Sequence, residues 1–327
     1  MTTEAMARAA EVLASADEVA LACHVNPDTD ALGSMLGLAN HLRAMGKSVV
    51  CSFGNEPFEP PRWLSELPGA DALVPPPEFP KAPKVLVTCD SASLDRLGAL
   101  VGRVAKAGEV IWIDHHVSNE GLGSIQLVDP TASSTCEMVC RLIDAMGGGM
   151  NADSAKCLYA GLVTDTGRFM YEAVKPDALR LAADLREHEF DHSRLAQVLY
   201  EDNGLGYLRL LGTVLGRLNM VEEVGLVWTA LSQAELAEAG VHPSETDDLI
   251  DVVRTVREAD VAAVIKQQRD GGWKVSTRSR GGHDLATLAA RFGGGGHRLA
   301  AGYTSKVGLD ETVNQLVEAL REAEAAP

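Results

Sequence analysis

The sequence predicts an α/β protein: a doubly wound parallel-sheet domain, then a smaller α/β domain. A helical linker joins them, with the expected site in the cleft between the domains. Three observations predict this. From Met1 to about Glu187, short β-like apolar runs alternate with helix-like segments, the pattern of strands joined by crossover helices. After Val224 a second alternation begins. At 327 residues the chain is long for one core and suits two domains of ordinary size.

Taken in order, residues 4–15 read as a helix and Val19-Ala20-Leu21-Ala22-Cys23 as a strand. Residues 30–45 read as a helix capped by Asp30 and stopped by Gly46. Residues 48–53 are strand-like, and the proline-rich stretch 57–83 reads as a surface excursion around a short helix near Trp63. Val85-Leu86-Val87-Thr88-Cys89 and Val110-Ile111-Trp112-Ile113 are further strands. Helices follow at 135–146, stopped by Gly147–Gly149, and at 154–166. Residues 191–221 are helical in pattern, with Leu195, Leu199, Leu208, Leu211 and Leu215 recurring. In the second half, strand-like 224–231, 261–267 and 273–277 alternate with helix-like 245–257, 284–292 and 309–322. The expected division is a first domain over 1–190, the linker over 191–221 and a second domain over 222–327.

Composition narrows the function. A net charge of −17 excludes wrapping long nucleic acid through a broad basic face, and most of the acidic surplus reads as solvated surface. A nucleotide substrate stays open, because one local cluster of metal, His and Arg can outweigh the global field. At 5% aromatic the chain offers no track for a processive single-strand exonuclease. Six scattered cysteines with no CxxC pair argue against a thiolate zinc site and against a disulfide framework; they read as core cysteines of a reducing compartment. No apolar run is long enough to span a bilayer and no signal opens residues 1–10, so the expected location is the cytoplasm, away from membranes.

The chemistry sits at strand ends. His24-Val25-Asn26-Pro27-Asp28-Thr29-Asp30 follows the first strand, Asp90 follows the Val85 strand, and Asp114-His115-His116 follows the Val110 strand. Singly, Asp30 reads as a helix N-cap, Asp90 as a turn residue and Asp165 as a helix end. Together they imply a cation, because acids massed beside core strands need one to neutralise them. Six ligands emerge: His24, Asp28, Asp30, Asp90, His115 and Asp165, with Asp90 the candidate bridge between two ions. Oxygen ligands without thiolate favour Mn²⁺, with Mg²⁺ or Co²⁺ as substitutes and Zn²⁺ disfavoured. The helix starting at Asp30 would aim free N–H groups at an anionic phosphate. Cys23 and Cys89 adjoin ligands but alternate to the opposite face, so they read as core. In the second half, Gly293–Gly296 before His297 gives a backbone that can approach a ligand closely, and the fork of Arg278 suits a terminal phosphate. His283 and Arg298 read as surface residues.

On these residues the chain resembles the DHH phosphoesterase family, named for the triplet that stands here as Asp114-His115-His116. All four family motifs are present, and Arg278-Ser279-Arg280 with Gly293–His297 resembles the DHH-associated substrate-binding domain. The subgroup is the oligoribonuclease (nanoRNase)/pAp-phosphatase type, which includes bacterial cyclic-di-AMP phosphodiesterases. The resemblance implies two Mn²⁺ ions at the six ligands and His116 facing the phosphate, with Asp90, Asp114 and His116 catalytic. It implies substrate contacts from His116, Arg278, Ser279, Arg280, Gly295, Gly296 and His297, and a homodimer. The expected reaction is hydrolysis of dinucleotides, cyclic-di-AMP, nanoRNA or 3′-phosphoadenosine 5′-phosphate (pAp) by in-line hydroxide attack at a two-metal centre. Two rival readings are a manganese inorganic pyrophosphatase, which would want a compact Lys/Arg clamp, and a nucleotide sensor without turnover, which should have lost a ligand.

Overall fold

The computed structural model describes residues 2–147, 149–171 and 174–325. Met1, Ala326, Pro327 and, within the expected glycine stop, Gly148 lie outside the described residues. The chain divides into two compact units, Met1–Glu201 and Asp202–Pro327.

The first unit runs α1 (Thr3–Ser15), β1 (Glu18–Cys23), α2 (Thr29–Ala44), β2 (Ser48–Phe53), β3 (Val85–Cys89), α3 (Val101–Val104), β4 (Glu109–Asp114), β5 (Ile125–Val128), α4 (Thr135–Met146), α5 (Ala152–Asp165), α6 (Pro176–Arg186) and α7 (His192–Tyr200). Its five strands are all parallel, in the order β2-β1-β3-β4-β5. Strand alternation divides two cores. Leu21, Val87 and Ile111 face the layer containing Leu32, Leu36 and Leu158. Ala20, Leu86 and Trp112 face Phe79, Leu97 and Leu100 on the other side. The sheet is therefore covered on both faces, the second largely by short helical turns such as Asp95–Leu100. Cys23 and Cys89 are fully buried in the first core, and all six cysteines are buried thiols.

Two details depart from the sequence expectation. The cap of α2 is Asp28, whose Oδ1 accepts from Ala31 N at 3.0 Å; Asp30 lies inside the first turn. Strand β5 and helix α6 were not anticipated. β5 alternates buried and exposed over only four residues, too short to show a period.

Helix α2 is buried on every side from residue 29 to 42. Such a helix carries no polar face, and it approaches α5 closely only because both present glycine. A methyl at Gly33 would meet Cys157 O at 2.6 Å, and one at Gly161 would meet Cys136 Sγ at 2.3 Å and Asp30 Cα at 2.9 Å.

The second unit runs α8 (Leu205–Leu215), β6 (Asn219–Val221), β7 (Leu226–Leu231), α9 (Gln233–Ala239), α10 (Leu249–Val253), β8 (Val261–Gln267), β9 (Trp273–Ser279), α11 (Leu285–Ala290), β10 (Gly295–His297), β11 (Ala300–Ser305) and α12 (Leu309–Ala325). The six strands form one mixed sheet, β10-β11-β9-β8-β7-β6, parallel only between β7 and β8. Four expectations change here. The strand expected over 224–231 starts at Leu226, behind a 3-10 turn over Glu222–Val224. The helix expected over 245–257 is a 3-10 turn, Pro243–Thr246, and the short α10. The glycine run is half strand: Gly295–His297 pairs antiparallel with Ala300–Gly302. His283 is buried rather than on the surface, whereas Arg298 is exposed as expected. No helix of the described residues is long and apolar enough to cross a membrane.

Gly161→Ala should push α5 off α2, costing about 1–3 kcal/mol as an overpacked core does. Because the added methyl meets Asp30, cation affinity should fall with stability. Denaturant midpoints and cation titrations check both; an unchanged midpoint would show that the contact relaxes freely.

Candidate metal centre

The sheet order places the site. The chain runs outward from β1 to β2, then returns to β3 on the other side of β1, so the β1/β3 boundary is where strand order reverses. Loops leaving the carboxyl ends of strands at such a point part and open a crevice. His24 follows β1, Asp90 follows β3, and Asp114 closes β4 before His115 and His116. Asp90 holds a left-handed backbone, φ 58°, as does Asn26, φ 51°. Asp and Asn tolerate that region better than most residues, and such conformations gather at functional sites.

Asp90 stands between two groups. Its Oδ2 lies 3.4 Å from His24 Nε2, which is 3.8 Å from Asp28 Oδ2. Its Oδ1 lies 3.7 Å from His115 Nε2, which is 3.9 Å from Asp30 Oδ2 and 3.4 Å from Asp165 Oδ2. Each histidine therefore presents Nε2 to carboxylates. His24 Nδ1 sits 2.8 Å from Val25 O and His115 Nδ1 3.4 Å from Ala132 O, so backbone carbonyls select Nδ1 as the protonated nitrogen. All six residues singled out from the sequence as ligands are brought together, as His24–Asp28–Asp90 and Asp30–His115–Asp165.

Charge explains why this set fits a cation. Asp30 is buried; burial first, then the charges of Asp90 and Asp165, push its carboxyl well above the usual range against the pull of His115. Two backbone donors already hold it: Thr135 N donates to Oδ2 at 2.7 Å and Cys136 N to Oδ1 at 2.9 Å, from the first turn of α4. They do not bring the carboxyl back to its usual range, so positive charge beside it, from a proton or a cation, is favoured. Asp90 is the reverse case. Burial would raise it, but the His24 hydrogen bond and the His116, His24 and His115 charges hold it well below the carboxylate range. Burial would likewise depress His24, yet Asp28 and Asp90 lift it to about 9.

Asp114 is fully buried and does different work. It accepts from His116 Nδ1 at 2.7 Å and from Asn119 Nδ2 at 2.6 Å. Burial alone would lower His116; Asp114 first, then Asp90, raise it to about 10. Sequence reasoning missed Asn119, Thr135, whose Oγ1 donates to Asp90 Oδ1 at 2.8 Å, and Asn55, which donates through Nδ2 to Asn26 Oδ1 at 2.8 Å. Thr135 was findable, because the predicted helix starts there. Asn55 and Asn119 carry no local signal, since each acts across a loop.

In the second unit, His297 is paired with Ala300 and Ala300 with Arg278, so His297 and Arg278 share one face of the sheet with a methyl between them. Arg278 Nε lies 3.7 Å from Asp251 Oδ1. The guanidinium of Arg280 donates to the carbonyls of Arg254, Thr255 and Arg257, at and just beyond the end of α10. Ser279 is buried, and its Oγ accepts from Gly281 N and His283 N. Gly296, φ 141°, has no room for a side chain against β11, its Cβ position lying 2.5 Å from Ala300 O, whereas Gly295 faces open space.

Comparison with known proteins agrees with this division. Residues 18–162 match the DHH family, N-terminal domain, and residues 224–326 match the DHHA1 domain. The chain is 37% identical over 321 residues to the bifunctional oligoribonuclease and PAP phosphatase NrnA of Thermus thermophilus, covering 98% of this chain and 94% of that one. It is 30% identical to the Bacillus subtilis protein of the same name, over 88% of each. Among solved structures, an exopolyphosphatase-related protein from Bacteroides fragilis superposes with a TM-score of 0.87 at 26% identity, over 98% of this chain and 96% of that one.

Without a cation, His24 holds a proton at neutral pH, and binding an ion through Nε2 must displace it. Cation affinity should therefore rise with pH by about tenfold per unit until pH 9 or so, then level off. Calorimetry in buffers of different ionisation enthalpy reads the released proton directly. A flat affinity between pH 7 and 8.5 would contradict the assignment of His24.

Proposed function

This chain belongs to the DHH family with a DHHA1 second domain, and from that membership we propose a metal-dependent hydrolase of short nucleotides. It cleaves linear dinucleotides and nanoRNA, cyclic-di-AMP and pAp to mononucleotides. The observation that carries the reading is the divided carboxylate of Asp90, one oxygen toward each His–Asp group.

His24, Asp28 and Asp90 would hold one ion, and Asp30, His115, Asp165 and Asp90 the second. Four carboxylates and two imidazoles with no thiolate suit manganese, and magnesium or cobalt could replace it. Such ions supply Lewis acidity toward water and a phosphoryl oxygen. The remaining work falls to the chain itself. His116, kept protonated by Asp114, donates from Nε2 to a non-bridging phosphoryl oxygen as charge develops there. Asn119 fixes Asp114, so the imidazole cannot swing away. Arg278 and His297, sharing a sheet face in the 222–327 domain, grip the distal part of the nucleotide, with Gly295 allowing close approach. Ser279 from the interior and Arg280 from the exposed side, through the carbonyls at the end of α10, hold that strand end in place. The protein works as a cytoplasmic homodimer, and the expected linker over 191–221 divides between the two units, α7 with the first and α8 and β6 with the second.

A turnover panel with Mn²⁺ tests the reading: pAp, pApA, cyclic-di-AMP, a five-nucleotide RNA and pyrophosphate. Nucleotide hydrolysis with little pyrophosphate hydrolysis is expected; the opposite preference would overturn it. Two single substitutions separate roles. Asp90→Asn should abolish turnover and lower the bound manganese with the fold intact by circular dichroism. His116→Ala should keep its manganese and lose roughly 10²–10³-fold in kcat, the cost of one transition-state donor. Loss of manganese in His116→Ala would reassign that histidine as a ligand.

A further inference from the structure

Arg96 lies on the loop that leaves Asp90, six positions further along the chain. Its backbone is tied to the first ligand loop, since its carbonyl accepts from Val25 N at 2.7 Å. Its side chain returns to the same place, with one guanidinium nitrogen, Nη2, 3.1 Å from His24 Nδ1. That contact is not a satisfied hydrogen bond. When Nε2 holds an ion, Nδ1 carries the hydrogen and gives it to Val25 O, 2.8 Å away, which can only accept. A donor then faces a donor.

Other arginines of this unit have an acceptor: Arg103 donates to Pro76 O and Arg186 to Phe190 O. Arg43, Arg141 and Arg194 each pair with a carboxylate. Among the described residues, no carboxylate oxygen lies within 4.0 Å of the Arg96 guanidinium, in a chain with 46 acidic and 29 basic residues. An exposed guanidinium with no anion, held one imidazole ring away from a metal site, matches the geometry of a phosphate ligand.

We propose that Arg96 contacts the substrate, closing on the phosphoryl group under hydrolysis from the His24 side of the centre. The proposal rests on the hydrolase reading above. It assigns Arg96 a different partner from Arg278: the reacting phosphoryl group rather than the distal part of the nucleotide. Its planar fork can present two N–H donors to two phosphoryl oxygens, so arrival of the anion would draw Nη2 off the imidazole. Its backbone bond to Val25 survives any side-chain change, so the loop keeps its anchor when the guanidinium is removed.

The test uses Arg96→Gln and Arg96→Lys in the manganese-loaded protein. It measures bound manganese, kcat/KM for pAp and for bis-p-nitrophenyl phosphate, and calorimetric binding of inorganic phosphate. Arg96→Gln should retain its manganese, lose about ten- to a hundredfold in kcat/KM on both esters, and bind phosphate about tenfold or more weaker. Arg96→Lys should recover part of each loss. Arg278→Ala, in contrast, should lose activity on pAp while largely sparing the small ester, which has no distal nucleotide. Unchanged phosphate binding and unchanged kcat/KM would overturn the proposal. So would loss of manganese, which would make Arg96 a positioning residue for His24, or a loss confined to pAp, which would place it on a distal phosphate. If the wild-type protein turns over neither ester, the hydrolase reading fails, and phosphate calorimetry still decides whether Arg96 holds the anion.

Discussion

Three aspartates taken out of water, Asp30 in the first turn of α2 and Asp90 and Asp114 at the ends of neighbouring strands, are the constraint on which the first unit is organised. An isolated buried carboxylate is too costly to keep ionised, so each must be compensated or protonated. The compensation differs for each. Asp114 is met by one imidazole and one amide, which makes it an orienting group. Asp90 is surrounded by three imidazoles and stays ionised. Asp30 receives two amide donors from the start of α4, yet burial and the neighbouring acids still hold its carboxyl well above the usual range, where a proton or a cation is favoured. That preference for positive charge is what lets such a cluster hold a metal ion.

Much of the surrounding structure serves this arrangement. The amino end of α4 is aimed at Asp30, where both its free N–H groups and its dipole favour negative charge. Helix α2 begins at Asp28 and is buried all round, so it cannot rotate without dragging two of the site's acids with it. The glycines at the α2–α5 contact set how close Asp30 comes to α5, and the same helix ends in Asp165. A packing contact of three small surfaces thus fixes part of the spacing among charged ones.

The second unit shows a related economy. Gly296 is required by the close pairing with β11, so this glycine earns its place in the hairpin, while Gly295 keeps its outward face open. Asp251 lies near both Arg254 and Arg278, at 3.7 Å from each.

How far the sequence could be read depended on whether a signal was local. The strands ending in His24, Asp90 and Asp114 are marked by apolar runs that end in acids, and the matched span of α4 by its periodicity and following glycine; these are properties of adjacent residues. The six candidate ligands could be named for the same reason, since residue type and position after a strand already limit what an acid there can do. The strand β10 was hidden, because three residues of which two are glycine carry no period; only pairing with β11 makes them a strand. Asp30 was misread as a cap, since a cap is decided by which carboxylate reaches the third amide, and Asp28 gets there first. The oxygens of Asp90 divided between two histidines, the Asn119 support of Asp114 and the placing of the Arg96 guanidinium beside His24 depend on loops from different strands meeting. Distances between groups remote in the chain have no trace in local pattern. Residue chemistry determined which side chains could form the site, and only the tertiary packing decided which atom of each faces which.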